Sequence, residues 1–233
     1  MKKRFYETAT CAKVDGGYAV QLDGRNIKTP AGTTLVMPTK ALAEAVAAEW
    51  DIQGDEIDPK SMSLMPLAGT AIDRIPDIRE NLIEGLLKYA ETDLLCYMAD
   101  DTQEELAKKQ VQTWQPVLDW LAEDLSARLV ATRGIVAVEQ STEALEALRI
   151  VLQDFDNWVL ATMSELVGIT GSLVLGLAIV KGHLSVDEAL HIARVDEDHQ
   201  IEQWGYDFEA IQRRDNITKD VHAAYQFYEL LKT

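Results

Sequence analysis

A chain of 233 residues, 47% hydrophobic and 26% charged, is long and apolar enough to bury one large core or two modest ones. Its 39 acidic side chains against 22 basic ones give a formal net charge of -17, a field that repels nucleic-acid phosphates and anionic lipid headgroups and argues against both as partners. Apart from Lys2-Lys3-Arg4, basic residues come singly or in pairs such as Lys108-Lys109 and Arg213-Arg214, with acids close by, so the charge is expected to maintain solubility.

The opening Met1-Lys2-Lys3-Arg4-Phe5-Tyr6-Glu7 is basic but has no apolar run behind it, unlike a secretory signal. Cys11 stands far from Cys96, and neither lies in a CxxC or Cys/His cluster, which points to a reducing compartment without a zinc site or disulfide framework. Over the first forty residues short alternating runs are punctuated by Asp15-Gly16-Gly17, Asp23-Gly24, Thr29-Pro30, Ala31-Gly32 and Met37-Pro38, the marks of a small antiparallel sheet. After Pro38 the period lengthens: Thr39 is placed to cap a helix that carries Leu42, Ala45 and Val46 on one face and ends before Gly54. The Met-rich, irregular stretch from Asp58-Pro59 to Met65-Pro66 reads as a connection between domains.

Beyond Pro66 every long segment reads as helix, beginning with Ile78, Leu82, Ile83, Leu86, Leu87, Ala90 and Leu94 at spacings of three and four. Asp101 with Glu104 is expected to cap a helix to about Arg128, which Pro116 should kink or split. An extended link over 129–138 leads to helices at about 142–167 and 171–181; the apolar run Leu173 to Val180 is far short of the roughly 20 residues a bilayer requires. Ser185 with Glu188 forms a capping box for a helix that Gly205 ends, and a last helix covers about 217–231. The expected class is α+β, with a small antiparallel β-rich amino-terminal domain over 1–65 and a larger all-helical carboxy-terminal domain over 66–233.

Catalytic signatures are lacking. Glu188/His191 and Asp196/His199 have the carboxylate-to-His spacing of di-iron bundles, but one continuous helix would turn the second pair about 80° from the first. A solvated polar face with helical ion pairs accounts for them. Cys96, in Asp93-Leu94-Leu95-Cys96-Tyr97, reads as a core thiol, and no nucleophile elbow, phosphate loop or dinucleotide fingerprint occurs. On a wheel starting at Val186, Glu197 falls within a stripe of Ala189, Leu190, Ala193, Ile201 and Trp204, while Glu202 points to the polar face. An acid so placed is neutralised, paired with a cation such as Arg74, Arg79 or Arg194, or presented on a surface another molecule covers. Trp50, Trp114, Trp120, Trp158 and Trp204 all lie in helical segments, where Trp serves as core or as an interface anchor.

Arg4-Phe5-Tyr6, Leu22-Asp23-Gly24-Arg25, Lys28 to Gly32, Glu49-Trp50-Asp51 with Gln53, Thr70 to Asp73, Thr92 to Tyr97, Gln110 with Trp114 and Pro116, and Asp196-Glu197 through Trp204-Gly205 follow one another in order. Together they resemble the Atp12 family over nearly the whole chain. Departures are Met98, where the family often has Arg, and Leu64-Met65-Pro66-Leu67, where it often has Pro-Leu-Thr. The resemblance implies a small β-containing domain joined to a helical one, no reaction and no cofactor or metal. It also implies a chaperone that binds the free alpha subunit of F1 ATP synthase until the beta subunit replaces it. Within the family an acid in the helix leading to the Trp-Gly pair is functionally important; Glu197 matches it best and Glu202 second. Trp50 is the other sensitive position, with an expected role in folding and in docking the two domains; the candidate partner-binding residues are Glu197, Glu202, Trp204 and Trp50. The expected setting is the bacterial cytoplasm, or the mitochondrial matrix for a processed eukaryotic form. Rival readings are a small hydrolase or transferase with a site between the domains, and a holdase without a dedicated client.

Overall fold

The computed structural model describes residues 2–134, 136, 138–205 and 207–233. Contacts group the chain into two compact units, Met1–Arg79 with Asn157–Thr162 and Ala223–Thr233, and Glu80–Asp156 with Met163–His222. The first unit thus extends beyond residue 65, where the texture of the sequence changes.

In chain order the first unit begins with β1 (Lys2–Lys3), β2 (Ala9–Val14), β3 (Gly17–Leu22), β4 (Arg25–Asn26), β5 (Val36–Met37) and α1 (Lys40–Asp51). Then follow β6 (Glu56–Ile57), α2 (Leu64–Gly69), a five-residue π-helical segment over Thr70–Arg74, and the start of α3 (Ile75–Glu91). β2 pairs antiparallel with β3 from Ala9↔Leu22 to Val14↔Gly17 around the two-residue Asp15-Gly16 turn, and β3 also pairs with β4 and β5. A Cβ on Gly17 would lie 2.2 Å from the Met37 carbonyl oxygen, so β5 can approach β3 only because that position is glycine. α1 buries Leu42, Ala43, Val46 and Ala47, and its Thr39 cap accepts from the Leu42 N–H, a contribution of about 1 kcal/mol.

Along the rest of the chain come β7 (Tyr97–Met98), α4 (Glu104–Asp124), β8 (Thr132–Arg133), α5 (Thr142–Asp154), α6 (Asn157–Thr170) and α7 (Leu173–Val180). α8 (Val186–Ala193), α9 (Val195–Trp204) and α10 (Phe208–Leu231) complete it. The small antiparallel sheet followed by helices is the expected class, but the later region is not all helix. β7 and β8 form a two-residue parallel ladder. Part of the extended link expected over 129–138, residues 135 and 137, lies outside the described residues.

Several helix ends differ from expectation, each for a local reason. Asp100, not Asp101, accepts from the Thr102 N–H and caps a short 3-10 turn ahead of α4, leaving Asp101 to pair with Arg133 at 2.9 Å. Pro116 lies inside α4 without splitting it. The expected helix over 142–167 is interrupted at Phe155, which is extended (φ -75°, ψ 139°) among Asp154, Asp156 and Asn157, residues whose side chains compete for backbone groups. Arg194 breaks the helix expected to run from Ser185 to Gly205.

The second unit packs around buried α7 and Trp114, whose indole N–H donates to the Ile192 carbonyl at 3.0 Å. Asp93 is fully buried and ties two turns together: its carboxylate accepts from Leu95 N–H (3.1 Å), Ser172 Oγ (2.7 Å) and Val174 N–H (3.1 Å). Burial outweighs those donors and pushes Asp93 up to about 6. Burial first, and Asp93 second, raises the Cys96 thiol to about 12, which keeps it protonated and inert. Among the described residues no helix is long and apolar enough to cross a membrane.

Candidate functional site

The break at Arg194 decides how α9 presents its acids. Arg194 (φ -103°, ψ 10°) leaves the helical path, and its guanidinium donates to the Arg214 carbonyl at 3.0 Å and to Thr218 Oγ1 at 2.9 Å. A new helix then starts, with Asp196, Glu197 and Asp198 in its first turn, where the positive end of the helix dipole favours carboxylates. The wheel drawn through 186–204 is therefore out of phase after 194. Glu197 is not set in an apolar stripe: Ile201 is half-buried and Trp204 is 80% exposed.

Glu197 keeps a half-exposed side chain 3.9 Å from Arg214 Nη1, and Asp198 approaches the same nitrogen at 2.6 Å. The cation within ion-pair distance is thus Arg214, while Arg194, one of the three considered from sequence, feels Glu197 at longer range. Burial, and then the neighbouring Arg214, lowers the pKa of Arg194, while Glu197, Asp198 and Asp215 oppose the shift. The acids at the start of α9 therefore compensate a pair of guanidinium groups. Glu202, exposed on the same helix, is ion-paired with Lys109, whose hydrogen bond holds the carboxyl below the usual range.

Gly205 (φ 85°) ends α9, its N–H donating to the Ile201 carbonyl at 2.8 Å. Trp204 faces solvent at that end, and Phe208, the first residue of α10, is 78% exposed. Sequence reasoning singled out Trp204 but missed Phe208. Its neighbours are polar, so a pattern of sequence alone marked no anchor there. The two metal-like pairs have other occupations: Glu188 closes the capping box with Ser185 and His191 lies 3.8 Å from Asp198, while Asp196 accepts from the Gln110 carboxamide at 2.7 Å and His199 lies 4.0 Å from Glu202. Among the described residues no group of three or more His, Cys, Asp or Glu side chains is placed to hold a metal.

Trp50 belongs to the first unit, where the short motifs become scaffolding. Glu49 is buried beneath the start of α2 and caps it from a distance in sequence: Oε1 accepts from the Ser63 and Leu64 N–H groups at 2.7 Å each, and Oε2 from Met65 N–H at 2.9 Å. The Gln53 carboxamide accepts from Asp58 N–H at 2.7 Å and donates to Ser61 Oγ at 2.9 Å, fixing the connection between β6 and α2. Asp73, on the π segment, accepts from Thr29 Oγ1 (2.9 Å) and Ala31 N–H (3.3 Å), holding the Pro30-Ala31 loop. The Arg4 guanidinium donates to the carbonyls of Tyr6, Glu7, Asp51 and Gln53, and Tyr6 Oη donates to the Trp50 carbonyl.

Between these clamps lies an open groove of about 590 Å³ with nearly all-carbon walls, among them Trp50, Ile57, Met62, Met65 and Pro66. Trp50 also borders a second hollow of about 560 Å³, formed with Phe5, Tyr6 and Ile27 among others. The groove was not foreseen. Its Met residues were read as an irregular linker, and only the long-range contacts of Glu49 and Asp73 turn that linker into a wall.

Solvent-facing aromatics beyond a helix with an acidic first turn, and an apolar groove bordered by buried hydrogen bonds, are features of a protein that handles other proteins. The profile of the ATP12 chaperone protein family matches residues 3–122, and the chain belongs to that family, whose members are ATP synthase assembly chaperones. It is 27% identical to the mitochondrial protein atp12 of Schizosaccharomyces pombe over 214 residues, 87% of this chain and 74% of that one. The crystal structure of Atp12 from Paracoccus denitrificans superposes with a TM-score of 0.93 at 36% identity, covering 99% of this chain and 98% of that one. Atu1473 from Agrobacterium tumefaciens, described as a putative chaperone, matches with a TM-score of 0.94 at 38% identity over 98% of this chain and 86% of that one.

Proposed function

We propose that this chaperone binds the free alpha subunit of F1 ATP synthase and covers its unpaired subunit interface until the beta subunit displaces it. A subunit made for a ring carries apolar surface that associates wrongly while its neighbour is missing, so a dedicated cover has a clear physical purpose. The observation that carries the reading is the exposure of Trp204 and Phe208, at 80% and 78%, on either side of Gly205. Large aromatics held in water at no visible structural benefit serve as anchors for a partner. Glu197 and Glu202 on α9 supply an acidic border that steers the encounter and sets its orientation.

Release follows mass action: beta competes for the same surface of alpha, and no hydrolytic step by the chaperone is required. Trp50 contributes through the first unit. The working place is the bacterial cytoplasm or the mitochondrial matrix, in keeping with the bacterial sources of the solved relatives and the mitochondrial naming of the yeast ones. Co-purification with separately produced alpha and beta subunits tests the reading. A complex with alpha alone, dissolved by added beta, is expected; absence of an alpha complex at micromolar concentrations refutes it.

A further inference from the structure

Resting on the reading of Trp204 and Phe208 as client anchors, we propose that Arg214 is their positioning residue: it sets the direction of α10 against α9, and so the place of Phe208 beside Trp204. Only residues 205–207 separate the two helices. Gly205 among them has open space on its Cβ side, so the link itself does not brace the second helix. The start of α10 finds no apolar bed either. From Phe208 to Asn216 every residue except Ala210 and Arg214 is exposed, and the first buried side chain of the helix is Val221. At 1.5 Å per residue Phe208 lies about 20 Å along the helix from Val221, so a tilt of about 10° there would move it by about 3 Å. That displacement is enough to take an aromatic anchor out of the pocket it fills in a partner.

The contacts that hold this lever are polar and centred on Arg214. Arg194 Nη2 donates to the Arg214 carbonyl at 3.0 Å and to Thr218 Oγ1 at 2.9 Å, and Thr218 Oγ1 donates in turn to that carbonyl at 2.8 Å. One guanidinium thus grips a full turn of α10. The Arg214 side chain reaches back to α9, with Nη1 2.6 Å from Asp198 and 3.9 Å from Glu197. It is 20% exposed and that of Asp198 31%, so the contact is largely shielded from water and from salt. Nη1 is buried and its N–H is not aligned on Asp198 for a hydrogen bond, so charge, not direction, makes the contact. The next polar tie of α10, His222 Nε2 to Asp187 at 3.0 Å, comes about two turns later, past Val221.

Spin labels at Glu123→Cys on α4 and Gln212→Cys on α10, both exposed, report the placement of the lever in the full chain with Cys11→Ser. Double electron–electron resonance should give one narrow distance distribution for this parent and a distribution at least about twice as wide for Arg214→Gln, with Kd for free alpha subunit raised about tenfold. Tm should move by less than about 3 °C, because Arg194 remains to offset Asp198 and Glu197. Arg214→Lys, which keeps the charge, should restore the narrow distribution and hold Kd within about threefold of the parent. Thr218→Val, which takes one acceptor from Arg194, should widen the distribution to a lesser degree. Unchanged width in both Arg214→Gln and Thr218→Val would overturn the proposal. So would affinity lost at unchanged width, which makes Arg214 a direct contact, failure of Arg214→Lys to restore width and affinity, or a Tm fall above about 10 °C in Arg214→Gln, which makes it a folding residue. If free alpha subunit binds neither parent nor variants, the client reading fails, and the distance distributions alone decide the role of Arg214.

Discussion

The surroundings of Trp50 and the α9–α10 turn put aromatic side chains to opposite uses. Around Trp50 nearly every motif residue faces inward: Glu49, Gln53 and Asp73 spend their polar atoms on backbone groups, and the result is a shaped apolar groove. At the α9–α10 turn the polar residues pair at the surface, and Trp204 and Phe208 stand largely in water. A substitution among the inward-facing Glu49, Gln53 and Asp73 should therefore act through folding, and one at Trp204 or Phe208 through binding. The contrast can be broken by any variant that behaves the other way.

Glu49→Ala should have the largest effect, because three backbone N–H groups at the start of α2 lose a charged acceptor in a buried place. A loss of about 3 kcal/mol is expected, lowering Tm by roughly 6–12 °C. Calorimetry with an unchanged Tm would show that α2 does not depend on this cap.

Asp93 gives the next largest effect, and one with a definite direction in pH. Its folded pKa of about 6 lies above the ordinary 3.8, so the native state holds the extra proton between those values. Its contribution is fully present below about pH 4 and is lost as pH rises through 6, by about 2–3 kcal/mol in all. Carboxyls held low, such as Asp23, Asp73 and Asp100, run the opposite way. The comparison must therefore be made against Asp93→Asn, whose stability deficit in urea unfolding should shrink between pH 4.5 and 7.5.

How far the sequence spoke for itself divides along the same line. Turn chemistry and caps were legible: the Asp15-Gly16 hairpin, the Thr39 cap and the Ser185/Glu188 box rest on contacts within a few residues. What escaped depends on residues far apart. The arm of Arg194 reaches Arg214 and Thr218, and that contact breaks the helix on which Glu197 seemed to share an apolar stripe. Glu49 reaches Ser63 to Met65 and Asp73 reaches Ala31, which is why an irregular Met-rich linker is a groove wall. The Atp12 resemblance marked Trp50 and the Trp204-Gly205 pair, but only coordinates distinguish a half-buried Trp from one standing in solvent.

Trp204→Ala should leave the fold alone and cost binding. With 80% of the residue exposed, Tm should move by less than about 1 °C, while an anchor of this kind is worth about 2 kcal/mol, or roughly 30-fold in Kd for free alpha subunit. Phe208→Ala should follow with a smaller loss. Intact affinity in both variants would remove the α9–α10 turn from the interface, whatever the groove does.

Glu202→Lys should have the smallest effect and the one most dependent on conditions. Glu202 is exposed and paired with Lys109, so the variant places two ammonium groups side by side in water, where each can turn away from the other. Melting should be nearly unchanged. If Glu202 borders the surface that meets the client, the association rate should fall severalfold at about 50 mM salt, with dissociation little altered, and the difference should fade as salt approaches 0.5 M. Stopped-flow mixing with labelled alpha subunit over that range reads both limbs. A deficit that persists at high salt would mean that Glu202 makes a direct, desolvated contact, and the border would then have to be redrawn as part of the anchor.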